Sequence, residues 1–397
     1  MYQQADTPYH LEETAMELAP RDMPARLPWT GTNSPHGTIE VNHACNITCH
    51  ACYKDKRGSS KGLQEIKHEI DLLMKLRRVG SLTLAGGEPS LHPRLTEIIS
   101  YIRSKGVRPL LLSNGTTLTP ENLRRWKDAG LERIFIHIDQ RQQNRPDRDV
   151  YLAAEPVLNQ LREHYVRMGA QAGVDVSPSV TLYRERLDDF CETVRFCLAN
   201  PHVNILLVTD YAQILNRDNR EDDGLSVTNK MVYETLARDV NIFPSWYVPS
   251  THRDRDPRWM VYLSAVTTSR NGRLSIFHFH PRHRTGLRLL PRLSRFKYRR
   301  YSFDDPFTRL DSVVSLIVYG LLSFNPAILV KSLAFAFRAV FAGKVKVLRM
   351  CFQQGPNLRE DGSYESCFDC PDAVVRNGKL VNLCLVDQLE PLPNCTP

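Results

Sequence analysis

The first twenty residues have no apolar core. Met1 to Pro20 carries Asp6, Glu12, Glu13 and Glu17 instead, so it does not read as a secretory signal. No internal repeat or low-complexity segment is present in the 397 residues, which argues against solenoid and disordered architectures. Acid is missing from the run holding Arg282, Arg284, Arg288, Arg292, Arg295, Lys297, Arg299 and Arg300. Aromatics for base stacking are also sparse there, which disfavours nucleic acid as a partner. Between Asp311 and Lys331 there is no charge at all, but Asn325-Pro326 interrupts the stretch. Proline breaks a continuous helix, and a span needs about 20 apolar residues, so two shorter helices at a membrane interface are expected rather than a crossing.

What is present describes an ordinary folded chain, 42% hydrophobic and 24% charged, with a formal net charge of +8. Ten cysteines without a signal point to metal ligation in a reducing cytoplasm rather than to disulfides. From about residue 36 to 210, short apolar runs alternate with amphipathic stretches of helical length. The runs are 37–41, 82–85, 109–112, 133–138, 174–182 and 203–208. Leu63, Ile66, Ile70, Leu73 and Leu76 recur at three- and four-residue steps, the stripe of a helix with one buried face. Such alternation gives an α/β fold around a parallel sheet, as a partial barrel or an open doubly wound sheet. Farther on, Arg270-Asn271-Gly272 between two β-rich runs marks a hairpin.

The chemistry concentrates in Cys45, Cys49 and Cys52, directly after the first strand-like run. Three local thiolates suit a [4Fe–4S] cube and leave one iron open, whereas zinc would need a distant fourth ligand. After the second run comes Gly86-Gly87-Glu88-Pro89. Together these resemble the radical S-adenosylmethionine (SAM) enzymes, whose cysteine triplet and Gly-Gly-Glu motif stand in this order. The resemblance implies a partial (β/α)6 TIM-type barrel with a C-terminal helical and cysteine-rich extension. It also implies SAM chelating the open iron and a 5′-deoxyadenosyl radical that abstracts hydrogen.

Within that resemblance, Gly86 and Gly87 allow close backbone approach, and Glu88 offers a carboxylate to the methionyl ammonium. Ser113 and Asn114 follow the third run and suit ribose or carboxylate contacts, or else turn chemistry before Gly115. Asp139 directly follows the fourth run, for SAM or substrate contact or for helix capping. The family's aromatic before the third cysteine is replaced by Ala51, leaving Tyr53 as the nearest candidate for adenine.

A second set, Cys351, Cys367, Cys370 and Cys384, could ligate every iron of a second [4Fe–4S] cluster, or a zinc ion. It loosely resembles the SPASM or twitch extensions of radical SAM enzymes. The chain accordingly divides into an N-terminal extension (1–35), a radical SAM core (36–240), a hairpin and basic segment (241–310), an apolar helical hairpin (311–346) and an auxiliary cluster segment (347–397). The basic run and apolar hairpin suggest a lipid or isoprenoid substrate and a cytoplasmic protein peripheral to the inner membrane face. A peptide-modifying enzyme and a non-catalytic metal protein are the alternatives. A flavodoxin- or ferredoxin-type electron donor is the expected partner.

Overall fold

The computed structural model describes residues 18, 19, 21–52, 54, 60–212, 224–359 and 361–386. Six parallel strands lie side by side in chain order: β1 (His36–Asn42), β2 (Ser81–Gly86), β3 (Arg108–Ser113), β4 (Arg133–His137), β5 (Asp175–Leu182) and β6 (Ile205–Asp210). The connections carry α1 (Leu63–Leu76), α2 (Leu95–Ser104), α3 (Pro120–Asp128), α4 (Glu155–Ala172) and α5 (Phe190–Ala199). On α1 the buried residues are Ile66, Ile70 and Leu73, the stripe expected from the sequence. Strand alternation divides the two faces of the sheet. On β6, Leu206 and Val208 join the helix-covered core, while Leu207 and Thr209 line a cavity on the inner face.

The sheet does not stop at β6. After α6 (Asn229–Asp239) come β7 (Trp246–Pro249), β8 (Pro257–Thr268), β9 (Leu274–His278) and, much later, β10 (Lys344–Gln354). β10 pairs parallel with β6 and antiparallel with β8, so the sheet runs Ala25–Arg26, β7, β8, β10, β6, β5, β4, β3, β2, β1, with β9 on β8. This eleven-stranded sheet crosses the expected boundary at residue 240. Asn271-Gly272 turns the β8–β9 hairpin, as its chemistry predicts.

Segment 300–307 plugs the end of the sheet where the parallel strands begin. Asp304 is fully buried there, accepting hydrogen bonds from Ser81 Oγ (2.7 Å) and the Arg108 guanidinium (2.6 and 2.9 Å). Arg133 reaches it at 3.3 Å, and these cations hold its carboxyl well below the usual range against the cost of burial. Arg349 ties the same segment to β10 through the carbonyls of Phe303 and Asp305, both at 2.7 Å.

The basic run forms α7 (Arg284–Tyr298), and the apolar stretch forms α8 (Arg309–Leu321) and α9 (Pro326–Phe341). Asn325 caps α9 with its side chain, and Pro326 occupies the first turn, where its missing N–H costs nothing. The hairpin is two-faced. Leu316, Tyr319, Phe335 and Ala336 pack into the core, whereas Phe324, Phe337 and Phe341 are 80%, 67% and 66% exposed. Among the described residues no helix is long and apolar enough to cross a membrane.

Candidate active site

The loop after β1 carries Cys45, Cys49 and Cys52, and the end of β2 holds it in place. Gly87 N–H donates to Asn42 O (3.0 Å), Glu88 N–H to Ala44 O (2.7 Å), and Asn42 Nδ2 to Glu88 O (2.8 Å). A Cβ on Gly87 would fall 2.2 Å from Ala44 O, and one on Gly86 2.2 Å from Asn42 O, where φ is also +138°. The close approach these glycines permit is therefore to the cysteine loop itself. On the far side, Thr48–Cys49 pairs antiparallel with Gln142–Gln143, and His50 N–H donates to Arg141 O (3.1 Å). The loop is clamped from two strand ends.

Glu88 is buried and accepts from Ser113 Oγ (2.9 Å), Ser90 N–H (3.0 Å) and Asn114 N–H (2.6 Å). Burial raises its carboxyl pKa, and these donors oppose the rise. Ser113 thus serves Glu88. Asn114 Nδ2 donates to Asn46 Oδ1 (2.9 Å) and lies 3.9 Å from Cys45 Sγ. Gly86, Gly87, Glu88, Ser113 and Asn114 line one cavity of about 210 Å³ with all three cysteines.

Asp139 does not line that cavity; His137, two residues earlier on β4, does. The Asp139 carboxylate sits 3.1 Å from His137 Nε2 and accepts from Arg141 N–H at 2.8 Å. It orients a lining residue and does not face the cavity. Tyr53 lies outside the described residues. Among the described residues Tyr211, just after β6, and Trp259 bring aromatic rings to the cavity; the Tyr211 ring centroid is 5.5 Å from His50 and 5.1 Å from Tyr183.

Of the C-terminal cysteines, Cys367, Cys370 and Cys384 line the same cavity as the first triplet, and Cys351 does not. Cys351 stands within β10 opposite Val261, and burial beside Arg349 leaves its thiol pushed up to about 12. Cys367 is fixed by a bridge to Ser250, and Phe368 N–H donates to Pro249 O (2.8 Å). Arg77, at the end of α1, donates to the carbonyls of Cys370 (2.9 Å) and Pro371 (3.1 Å). Among the described residues no three His, Cys, Asp or Glu side chains are grouped for a single metal ion. The thiolates of a cube each bind a different iron.

Residues 39–197 match the model of the radical SAM superfamily. They form a radical SAM domain. Similar proteins include an AdoMet-dependent heme synthase of Nitratidesulfovibrio vulgaris, 28% identical over 40% of this chain and 43% of its own. Another is a probable GTP 3′,8-cyclase of Metallosphaera sedula, 33% identical over 25% of this chain and 32% of its own. The chain thus spans less than half the length of these relatives. Among solved structures, native anSMEcpe with bound AdoMet superposes with a TM-score of 0.39 at 11% identity, over 52% of this chain and 59% of that one.

With the radical SAM domain come its cofactors, a [4Fe–4S] cluster and SAM. Besides the residues read from sequence, the cavity is lined by Ser179, Thr181, Thr209, Trp259, Gln353 and Asp372. Burial pushes the Asp372 carboxyl up to about 6. Ser179, Thr181 and Thr209 stand on alternating positions of β5 and β6, so the inner-face parity of each strand was their available signal.

Proposed function

We propose that this radical SAM enzyme acts at a membrane surface on an amphiphilic lipid or isoprenoid substrate, with a second [4Fe–4S] cluster on Cys367, Cys370 and Cys384. The observation that carries the surface assignment is the unpartnered apolar face of the helical hairpin. Leu310, Leu321, Phe324, Val330, Phe337 and Phe341 are all exposed on it. Beside it α7 exposes Arg288, Arg292, Arg295, Lys297 and Phe296. Cations near an anionic membrane contribute on the order of 1 kcal/mol each, and an inserted apolar face adds to them.

Cys45, Cys49 and Cys52 hold the first cluster in this reading, and a SAM-bound [4Fe–4S] centre supplies a hydrogen-abstracting radical. Glu88, oriented by Ser113 and Asn114, receives the methionyl ammonium. Tyr211 offers the aromatic face for adenine that Ala51 does not. His137, held by Asp139, and the Ser179, Thr181 and Thr209 hydroxyls contact substrate. Three cysteines rather than four leave one iron of the second cluster open to a polar substrate atom, while Cys351 stays a core thiol. The basic surface also suits an acidic flavodoxin- or ferredoxin-type donor.

The test is 5′-deoxyadenosine formation by the reconstituted, reduced protein with and without vesicles of anionic phospholipid and host lipid extract. Stimulation by lipid that Phe337→Glu/Phe341→Glu abolishes is the expected result. SAM cleavage indifferent to lipid overturns the membrane assignment and leaves the radical chemistry standing.

A further inference from the structure

A second cavity, of about 320 Å³, lies on the inner face of the sheet below the one that holds the cysteines. Neighbouring positions on the same strands divide the two. Trp259 and Gln353 line the upper cavity; Val261 and Cys351, each two residues away, line the lower. The partition is aromatic, with Phe303 lying 6.2 Å from Trp29 and 6.1 Å from Trp259 between ring centroids.

The lower walls are mostly hydrocarbon and ring, including Leu27, Trp29, Trp246, Val261, Leu290 and Phe307. The volume is in the range of ligand pockets, about 300–1,000 Å³. Two further observations point to an occupant. Trp29 is 7% exposed, and its indole N–H has no hydrogen-bond partner among the described residues. A buried donor of this kind calls for an acceptor. Leu310 and Val314 belong both to the lining and to the exposed face of α8, being 71% and 40% exposed, so the cavity reaches the surface through that face. Lys297, paired with Asp311 at 2.7 Å, stands in the same lining beside the basic helix.

We infer that this lower cavity is a binding site for the hydrocarbon chain of an anionic amphiphile, entered between α7 and α8. Trp29 N–H serves a carbonyl or hydroxyl oxygen of the ligand, and the α7 cations meet its head group. The inference rests on the membrane reading above for the source of the chain, but the cavity is separate from the radical site.

The test uses the full-length protein and a dibrominated stearate below its micelle concentration, because bromine quenches tryptophan on contact. Two of the four tryptophans, Trp29 and Trp246, line the cavity, so saturable loss of about half the emission is expected. Val261→Phe fills the cavity and Val314→Phe narrows its mouth, and each should weaken quenching several-fold. Val314 is partly exposed, so the second substitution is readable even where the first disturbs folding. Absent quenching, or quenching unchanged in a folded Val314→Phe protein, overturns the inference. Sedimentation with phosphatidylglycerol vesicles separates the two proposals. Vesicle binding without quenching removes the cavity site and keeps the surface assignment, and quenching without vesicle binding does the reverse.

Discussion

Asp304 and Arg108 face each other at 2.6 Å in the buried base of the sheet, the first from the segment before α8 and the second at the start of β3. This pair fastens the C-terminal extension inside the radical SAM domain. Removing the Asp304 carboxylate leaves Arg108 with Asp305 (3.2 Å) and Glu132 (3.8 Å) and Arg133 with Asp175 (2.7 Å), so the cost is that of weakened buried hydrogen bonds, about 1–3 kcal/mol. Asp304→Asn should therefore lower the urea midpoint without touching the cysteine loop. A midpoint within error of wild type would show the plug to be dispensable.

Gly87→Ala places a methyl against Ala44 O, inside contact distance. The cysteine loop must shift, at a cost of about 1–3 kcal/mol for the overpacking. The expected outcome is a folded protein that loses most of its SAM cleavage and takes up less iron at the first site. Normal iron content and activity would mean that the loop absorbs the methyl.

Arg77 joins α1 to the C-terminal cysteines through the Cys370 and Pro371 carbonyls, and to Gly31 O (2.8 Å) and His36 O (3.1 Å). Arg77→Met should loosen the second set selectively. With the proposed second cluster in place, iron after reconstitution would then fall from about eight toward about four per chain, with SAM still bound. Parallel loss of both clusters would instead mark Arg77 as a support of the whole site.

His36 gives a pH dependence. Burial pushes its imidazole down to about 4, and its nitrogens face Ser81 Oγ (2.9 Å) and Thr83 Oγ1 (3.1 Å). The unfolded chain protonates near 6.5. Between those values the unfolded imidazole binds more protons, so the His36 contribution to stability falls as pH falls from about 6.5 to about 4, by up to about 3 kcal/mol, while Asp372, 3.6 Å away and raised by burial, contributes in the opposite sense. Urea midpoints at intervals across that window should fall more steeply toward acid in wild type than in His36→Gln, the difference between the two carrying the His36 slope. An equal slope in the variant would assign the acid lability to other groups.

The βα series and the first cluster loop were legible in the sequence because each is specified locally. Period 2 and period 3.6 mark the strands and helices, and Cys45, Cys49 and Cys52 stand together in one short loop. His137 was missed because the apolar run continues to Ile138, whereas the strand itself ends at His137, so its alternation does not carry on to Asp139. Asp139 accordingly stands behind the residue that faces the cavity. Cys351 was grouped with the other C-terminal cysteines by proximity in sequence, but it belongs to regular strand β10, whose register with Val261 sends it to the lower cavity. The plug was illegible for another reason. Asp304 meets Ser81, Arg108 and Arg133, partners no local pattern connects.

The position of β10 between β6 and β8 has a consequence for biosynthesis. A nascent chain completes β6 at Asp210, yet the strand that covers its edge begins at Lys344. At about 5–20 residues per second, that edge stays bare for on the order of ten seconds of translation, open to mispairing. Cys367, Cys370 and Cys384 leave the ribosome after it is covered. Cys45, Cys49 and Cys52 therefore spend that interval in an unfinished vessel, reachable by whatever delivers iron and sulfide before the lid of C-terminal loops arrives.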